Sequence, residues 1–177
     1  MNNSTMKILF SSAKANGTDI WATPDKLYQR IQKELLGDLL KFELDPCADS
    51  DNAKCSTFYT EIDNGLVQPW AKFKRIFVNC PYSEIALWVK KAHFEAEELR
   101  SLKCRDSAIV MLLPSRTDTI WWHQYVAKSN KIIFLKGRVK FGDSKNSAPF
   151  PSAIAVWRGD MDHTRNCSDV QFVDWRP

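Results

Sequence analysis

The segment Asn79-Cys80-Pro81-Tyr82 holds the residue types that most directly suggest chemistry. The Asn79 side-chain oxygen and the Cys80 carbonyl are neutral hydrogen-bond acceptors, and Pro81 fixes the turn that presents them. Tyr82 offers a flat ring for stacking. Two acceptors beside an aromatic ring suit an exocyclic amine on a planar base. The acceptors can bind both N–H groups of the amine and draw its nitrogen lone pair out of conjugation with the base. The competing interpretation of these four residues is an ordinary turn that ends a strand with an Asn cap.

Alternating strands and helices must position this segment. An apolar stretch at residues 75–79 predicts a strand, and apolar residues spaced three or four apart from Ile85 to Leu99 predict a helix after it. A continuous apolar run at residues 108–113 predicts a strand buried on both faces. Thr23-Pro24-Asp25 is a typical helix start, and Gly37 a typical end. Further elements are predicted as a helix at 118–127 and strands at 41–45, 56–60, 132–135, 153–157 and, as a hairpin partner across Gly137, 139–141.

This order of elements predicts an α/β fold, with a mostly parallel sheet, an antiparallel strand near the C-terminus and helices on both faces. Ligands in such sheets bind outside the carboxyl ends of the strands. Two loops, residues 45–49 and 79–82, are expected there. We expect a polar arm at residues 1–20, a single domain at 21–158 and a polar, irregular tail at 159–177.

Composition narrows the class of protein. The chain has 177 residues, of which 44% are hydrophobic and 26% charged, as in a globular domain. No apolar run approaches the roughly 18 residues of a membrane span, and the first ten residues do not resemble a signal peptide. The five cysteines form no CxxC pair, so we expect reduced thiols, no metal site and a cytoplasmic protein.

The charge is concentrated in the middle of the chain. Residues 71–145 carry 15 basic and seven acidic side chains, although the whole chain has a net charge of only +4. Such a stretch favours a polyanionic partner, DNA or RNA, but also fits an ordinary solvated surface. Trp121 and Trp122 could face a nucleic acid, or pack a helix. The candidate phosphate contacts are Arg116, Lys136, Arg138 and Lys140.

Short motifs spread over residues 19–157 resemble, in their order, the phage-type DNA N6-adenine methyltransferase family. The shared pieces are Trp21-Ala22-Thr23-Pro24, Leu44-Asp45 with Ala48, Asn52-Ala53-Lys54-Cys55, Asp63 with Gly65-Leu66, Trp70, Asn79-Cys80-Pro81-Tyr82-Ser83, Leu112-Leu113-Pro114 with Thr117, Thr119, Trp121 and His123, Gly137-Arg138 with Phe141, and Phe150-Pro151-Ser152. Each piece is short, and the ordered set is what makes the resemblance specific.

The resemblance implies a Rossmann-like fold and methyl transfer from S-adenosylmethionine to the N6 amine of adenine in double-stranded DNA. It also implies that the target base is flipped out of the duplex. Asn79, Cys80, Pro81 and Tyr82 would form the catalytic loop. The family signature has proline where this chain has Cys80. Because the acceptor there is a backbone carbonyl and the amine attacks directly, the Cys80 thiol needs no nucleophilic role.

The resemblance also assigns a cofactor side. Asp45 would accept a hydrogen bond from the methionyl ammonium, and Asp63 one from the adenine amine of S-adenosylmethionine. The start of the first predicted helix would face the methionyl carboxylate. The competing interpretations are turn aspartates, and a helix cap with a packed tryptophan. The implied cofactor residues are Trp21, Thr23, Pro24, Asp45, Pro46, Ala48 and Asp63.

The sequence therefore predicts a DNA adenine methyltransferase that needs no metal and could act as a monomer. Resemblance to phage proteins suggests that it protects phage DNA from host restriction. One alternative is a nucleic-acid-binding protein on a degenerate methyltransferase fold without turnover. The other keeps the chemistry but changes the acceptor to RNA adenine or to the N4 amine of cytosine.

Overall fold

Seven strands form one sheet, and the two loops predicted to bind ligands follow the carboxyl ends of its strands. The computed structural model describes residues 21–142, 144, 146–160, 167 and 169–176. The predicted arm at residues 1–20 and the middle of the predicted tail lie outside these residues. The elements, in chain order, are α1 (Asp25–Leu36), β1 (Leu44–Asp45), β2 (Thr57–Phe58), β3 (Arg75–Val78), α2 (Ile85–Ser101), β4 (Ala108–Pro114), α3 (Ile120–Gln124), β5 (Lys131–Leu135), β6 (Ser152–Arg158) and β7 (Asp169–Val173).

The strand order is β2-β1-β3-β4-β6-β5-β7. Strand β6 is antiparallel to both neighbours, β4 and β5, and every other neighbouring pair is parallel. The prediction of a mostly parallel sheet with an antiparallel strand is confirmed. From β1 the chain continues to one side of the sheet, and from β3 to the other. The crevice between β1 and β3 is thus a topological switch point, where α/β proteins of this type bind ligands.

Helices cover both faces of the sheet, as predicted. Helix α1 buries Leu27 and Ile31 against one face, and helix α2 buries Trp88 and Val89 against the other. Helix α1 begins after Pro24 and ends at Gly37, which has a φ of +80° and donates its N–H to the carbonyl of Lys33. This left-handed conformation explains why glycine stands at the helix end.

Two predicted elements differ in the structure. Residues 139–141 do not form the predicted hairpin strand, because β5 is paired on both sides by β6 and β7. Val139 is buried all the same, and its carbonyl accepts from the N–H of Ala148. The helix predicted at 118–127 is shorter, since α3 ends at Gln124 and a separate 3₁₀ turn covers Val126–Lys128.

The prediction of an irregular tail is wrong for residues 169–173, which form β7 at the sheet edge. Phe172 stacks on Phe134 of β5 with ring centroids 5.3 Å apart. Lys131 pairs with Asp169 at 3.1 Å, at the start of the two strands. The pairing partner of β7 lies more than thirty residues earlier in the chain, so the local sequence alone did not predict the strand.

Candidate active site

Asn79 is held by the segment that leads into α1. It directly follows β3, and its Nδ2 donates to the Thr23 hydroxyl at 2.8 Å and to the backbone carbonyl of Trp21. Its Oδ1 accepts from the Tyr82 hydroxyl at 3.1 Å. The amide therefore has its donor side against the protein and its acceptor side on Tyr82. The structure thus brings together Asn79 and Tyr82 of the predicted catalytic loop with Trp21 and Thr23 of the predicted cofactor set.

Three aromatic side chains surround Tyr82 and form a cluster with it. The Trp21 ring is nearly parallel to that of Tyr82, with centroids 6.1 Å apart and an angle of 18°. Phe150 and Phe141 meet Tyr82 edge-on, at 5.4 and 6.3 Å. Both phenylalanines also meet Trp21 edge-on. The orientation of the Tyr82 ring is thus fixed by neighbours from three separate parts of the chain.

Cys80 and Pro81 shape the loop between Asn79 and Tyr82. The Cys80 side chain is 2% exposed and belongs to the core on the α2 face of the sheet. Its backbone leads into Pro81, whose φ is −56° and whose carbonyl accepts from the N–H of Glu84, the last residue of the 3₁₀ turn Tyr82–Glu84. A thiol in this position fills space in the core and is directed away from the Asn79 side of the loop.

Asp45 is a buried carboxylate at the carboxyl end of β1. It is 4% exposed, and its oxygens accept from the backbone N–H groups of Lys54 at 3.2 Å and Cys47 at 3.5 Å. Burial raises its pKa to about 6, although both hydrogen bonds act in the opposite direction. Among the residues that the structure describes, no basic side chain forms an ion pair with Asp45, and the Lys54 ammonium pairs with Asp25 instead.

The loop after β1 is held by backbone contacts. The Ala48 N–H donates to the Tyr59 carbonyl, and the Tyr59 N–H donates to the Asp45 carbonyl, both at 3.0 Å. Gly65 lies so close to Pro46 that a Cβ atom on it would stand 1.9 Å from the Pro46 carbonyl oxygen. Only glycine permits this approach, which packs the loop after β2 against the loop after β1.

Asp63 lies in an environment opposite to that of Asp45. It is exposed, and its Oδ2 accepts from the N–H and the hydroxyl of Thr60 at 2.8 and 2.7 Å. These hydrogen bonds hold the pKa of Asp63 below its usual value. The turn that the sequence predicted at this aspartate is therefore present.

The predicted phosphate-binding residues lie at the same edge of the sheet. Arg116 follows β4 and is exposed, and Arg138 and Lys140 are exposed on the segment after β5. Between and after them, Val139 and Phe141 are buried, so this segment alternates basic side chains outward with apolar side chains inward. Lys136 pairs with Asp174 at 3.1 Å and is thereby partly neutralised.

The amino-acid sequence matches a known protein family. A model of the family described as DNA N-6-adenine-methyltransferase (Dam) matches residues 10–166, which is most of the chain. The chain belongs to this family. It is 30% identical over 118 residues to a DNA N-6-adenine-methyltransferase of Escherichia phage T1, covering 67% of this chain and 45% of the relative. No solved structure matches the chain.

Two further relatives extend the comparison. A DNA N-6-adenine-methyltransferase of Haemophilus phage HP1 is 27% identical over 132 residues, covering 74% of this chain and 70% of the relative. A putative methyltransferase, YfdM, of Escherichia coli K12 is 43% identical over 54 residues, covering 30% of this chain and 55% of the relative. The chain thus spans less than half the length of the phage T1 relative and a larger share of the HP1 relative.

The sequence predicted no role for two aromatic residues that the structure places at the candidate site. Phe141 and Phe150 lie within the shared motifs, yet only the structure places them against Tyr82. The alternation of basic and apolar residues from Arg138 to Phe141 was the available signal. Trp121 and Trp122 are 9% and 5% exposed and pack in the core, which favours their helix-packing interpretation.

The described residues contain neither a cluster of metal-ligating side chains nor a membrane-spanning helix. No group of three or more His, Cys, Asp or Glu side chains comes together there as the ligands of a metal ion would. None of the helices in the described part of the chain combines the length and apolar character needed to cross a membrane.

Proposed function

We propose that this protein transfers a methyl group from S-adenosylmethionine to the N6 amine of adenine in double-stranded DNA. The observation that carries the proposal is the orientation of Asn79. Its Nδ2 is turned toward Trp21 and Thr23, which leaves Oδ1 as the acceptor on the Tyr82 side of the loop. Family membership supports the reaction class, and the names of the phage relatives support adenine as the acceptor.

The catalytic loop would act on the amine by hydrogen bonding. Asn79 Oδ1 and the Cys80 carbonyl would each accept one N–H of the adenine amine. Two such bonds favour a pyramidal nitrogen, whose lone pair is withdrawn from the ring and available for attack. Tyr82 would stack on the flipped base, and the rings of Trp21 and Phe150 keep it in place for that contact.

The crevice between β1 and β3 suits S-adenosylmethionine. The bound cofactor would supply an electrophilic methyl group on a sulfonium. Asp45 is a buried carboxylate with no ion-pair partner among the described residues, so a ligand ammonium would compensate its charge. Pro46 and Ala48 would line the same loop, and Asp63 would accept from the cofactor adenine at the carboxyl end of β2. Pro24 and Trp21 would border the site at the start of α1.

The DNA would lie over the carboxyl ends of β4 and β5. Arg116, Arg138 and Lys140 are exposed there, and the last two belong to the segment whose Phe141 borders the Tyr82 cluster. Phosphate contacts at these positions would hold the duplex without reading its sequence. Lys136 would contribute less, because it shares its charge with Asp174.

The biological role would be protection of phage or prophage DNA from host restriction. The phage origin of two relatives supports this role. Methylation of adenine in a recognised duplex would prevent a host nuclease from cutting there.

The proposal is tested by identifying the product. The protein is incubated with S-adenosylmethionine and unmethylated duplex DNA, with RNA in a competing reaction, and nucleosides are identified by mass spectrometry. We expect N6-methyladenine from DNA, and none from the Asn79→Ala variant. N4-methylcytosine or methylated RNA would replace the proposed acceptor. No product together with no cofactor binding would favour the degenerate-fold alternative.

A further inference from the structure

The orientation of the Asn79 amide needs an explanation, because the two ends of an amide have nearly the same shape. Only Oδ1 can accept from an amine, whereas Nδ2 in its place would oppose the amine N–H groups. A half-turn about the last side-chain bond exchanges the two ends. The proposed methyl transfer therefore requires neighbouring groups that favour one of the two orientations of the Asn79 amide.

The segment before α1 supplies that selection. The carbonyl of Trp21 can only accept a hydrogen bond, so the amide end that faces it must be the NH₂ group. The Thr23 hydroxyl accepts from the same nitrogen at 2.8 Å. Thr23 is 4% exposed, so water cannot readily replace this contact.

The support is rigid because α1 is anchored in the core. Pro24 precedes the helix with a φ of −60°, and Leu27 is 1% exposed one turn later. Thr23 is thus tied to the sheet through the packing of α1 in the core. On the opposite side of the amide, the Tyr82 hydroxyl occupies one lone pair of Oδ1 and leaves the second for a ligand.

We propose that Thr23 is a positioning residue for methyl transfer, whose buried hydroxyl, together with the Trp21 carbonyl, holds the Asn79 amide with Oδ1 toward the target amine. This inference rests on the proposed function. It gives Thr23 a role on the acceptor side of the reaction, in place of the cofactor contact that the family resemblance implied.

The first test separates these two roles by kinetics. Thr23→Val keeps the shape of the side chain and removes the hydroxyl, while Thr23→Ser keeps the hydroxyl. We expect Thr23→Val to lower kcat about tenfold, with the Kd of S-adenosylmethionine and the KM of DNA changed less than about twofold, and Thr23→Ser to restore most of kcat. The loss is partial because the Trp21 carbonyl still selects the same orientation.

A control that also removes a hydroxyl is Ser101→Ala, at the end of α2, where the side chain is exposed and lies outside the proposed site. It should leave kcat unchanged. An increase in the Kd of S-adenosylmethionine at unchanged kcat for Thr23→Val would overturn the inference and return Thr23 to the cofactor side. If the valine variant does not fold, Thr23→Ala removes the same hydroxyl and is measured instead.

The second test does not depend on methyl transfer. The side-chain NH₂ of Asn79 is observed by ¹⁵N NMR and assigned by its loss in Asn79→Ala. We expect slow exchange with water in the wild-type protein and exchange about tenfold or more faster in Thr23→Val. Unchanged exchange would overturn the inference even if the enzyme is active. A wild-type protein with no transfer activity would refute the proposed function and leave this NMR result standing by itself.

Discussion

The proposed acceptor side and the proposed cofactor side of the site are built by different means, although both lie at the carboxyl ends of strands in one sheet. On the acceptor side, Asn79 and Tyr82 are held by side-chain hydrogen bonds and by rings from distant parts of the chain. On the proposed cofactor side, β1 and β2 are two residues long, and the loops after them are held mainly through backbone groups: the carboxylates of Asp45 and Asp63 accept from backbone N–H groups, and Gly65 closely approaches the Pro46 carbonyl.

This difference indicates a division of tasks. In the proposed reaction, side chains that fix one another's orientation would preorganise the groups that act on the amine, so their loss should lower kcat. Loops held through backbone groups would determine whether the cofactor fits, so changes there should raise its Kd. Variants on the two sides should therefore separate kinetically, those on the acceptor side in kcat and those on the cofactor side in the Kd of S-adenosylmethionine.

The largest effect is expected for Asn79→Ala on the acceptor side. Removal of the acceptor should lower kcat by about 100- to 1,000-fold, as for loss of a preorganised hydrogen bond at a reacting group. The Kd of S-adenosylmethionine, measured by calorimetry, should stay within about threefold. A comparable loss of cofactor affinity would mean that the two sides are not separate.

The matching change on the cofactor side is Gly65→Ala. Its Cβ would meet the Pro46 carbonyl, and relief of that overlap must displace one loop. We expect the Kd of S-adenosylmethionine to rise about tenfold or more, since an overpacked site typically costs about 1–3 kcal/mol.

The control for this variant is Gly37→Ala, at a position with a φ of +80° and no neighbouring atom within 4 Å of the added Cβ. It strains the end of α1 without touching the cofactor loops. Equal effects of the two glycine variants on cofactor affinity would show that general destabilisation, and not the Pro46 contact, is responsible.

A moderate effect is expected from pH. The pKa of Asp45 is raised from 3.8 to about 6 by burial, so the ligand-free protein holds a proton on Asp45 below that pH. An ammonium ligand pairs with the ionised form. Affinity for S-adenosylmethionine should therefore rise with pH, by up to about tenfold per unit below pH 6, and level off above it.

Two variants check the source of this pH dependence. Asp45→Asn should give an affinity that does not change between about pH 5 and pH 7, where the ligand ammonium stays charged. Asp63→Asn should keep the wild-type profile, because the pKa of Asp63 is lowered and that carboxylate stays ionised throughout this range. A wild-type profile in Asp45→Asn would remove Asp45 from the cofactor site.

The same raised pKa has a consequence for folding. Because the unfolded chain releases the Asp45 proton near pH 4 and the folded chain near pH 6, the folded state binds more protons between these values. In the absence of ligand, the free energy of unfolding should therefore fall as the pH rises from about 4 to 6.

The smallest effect is expected from the residues proposed to contact DNA. Arg138→Ala and Lys140→Ala should each reduce the slope of log K for DNA against log salt by about 0.9, the value for one phosphate contact. Lys136→Ala should change the slope less, because Lys136 is paired with Asp174. Fluorescence anisotropy at several salt concentrations measures these slopes. Equal slopes in all three variants would contradict the proposed DNA path.

The sequence predicted the parts of the molecule that local patterns determine. The strand at β3 and the buried run at β4 follow from short-range hydrophobicity, and they were enough to place the proposed catalytic loop at the carboxyl end of β3. The glycine end of α1 was predicted for the same reason.

Long-range contacts were not predictable in this way. Asn79 and Thr23 are 56 residues apart, and no local pattern links them. Strand β7 depends on ion pairs and stacking with β5, whereas residues 139–141 alternate like a strand but find β5 already paired on both sides. In each case, the structure depends on which distant segment of the chain pairs with a sheet edge or accepts a hydrogen bond.

The most direct test of the central claim is a crystal structure of the protein with duplex DNA and an unreactive analogue of S-adenosylmethionine. We predict a flipped adenine on Tyr82, with its N6 within about 3.2 Å of both Asn79 Oδ1 and the Cys80 carbonyl oxygen. An adenine amine bound elsewhere, or an Asn79 amide with Nδ2 turned toward the base, would contradict the account.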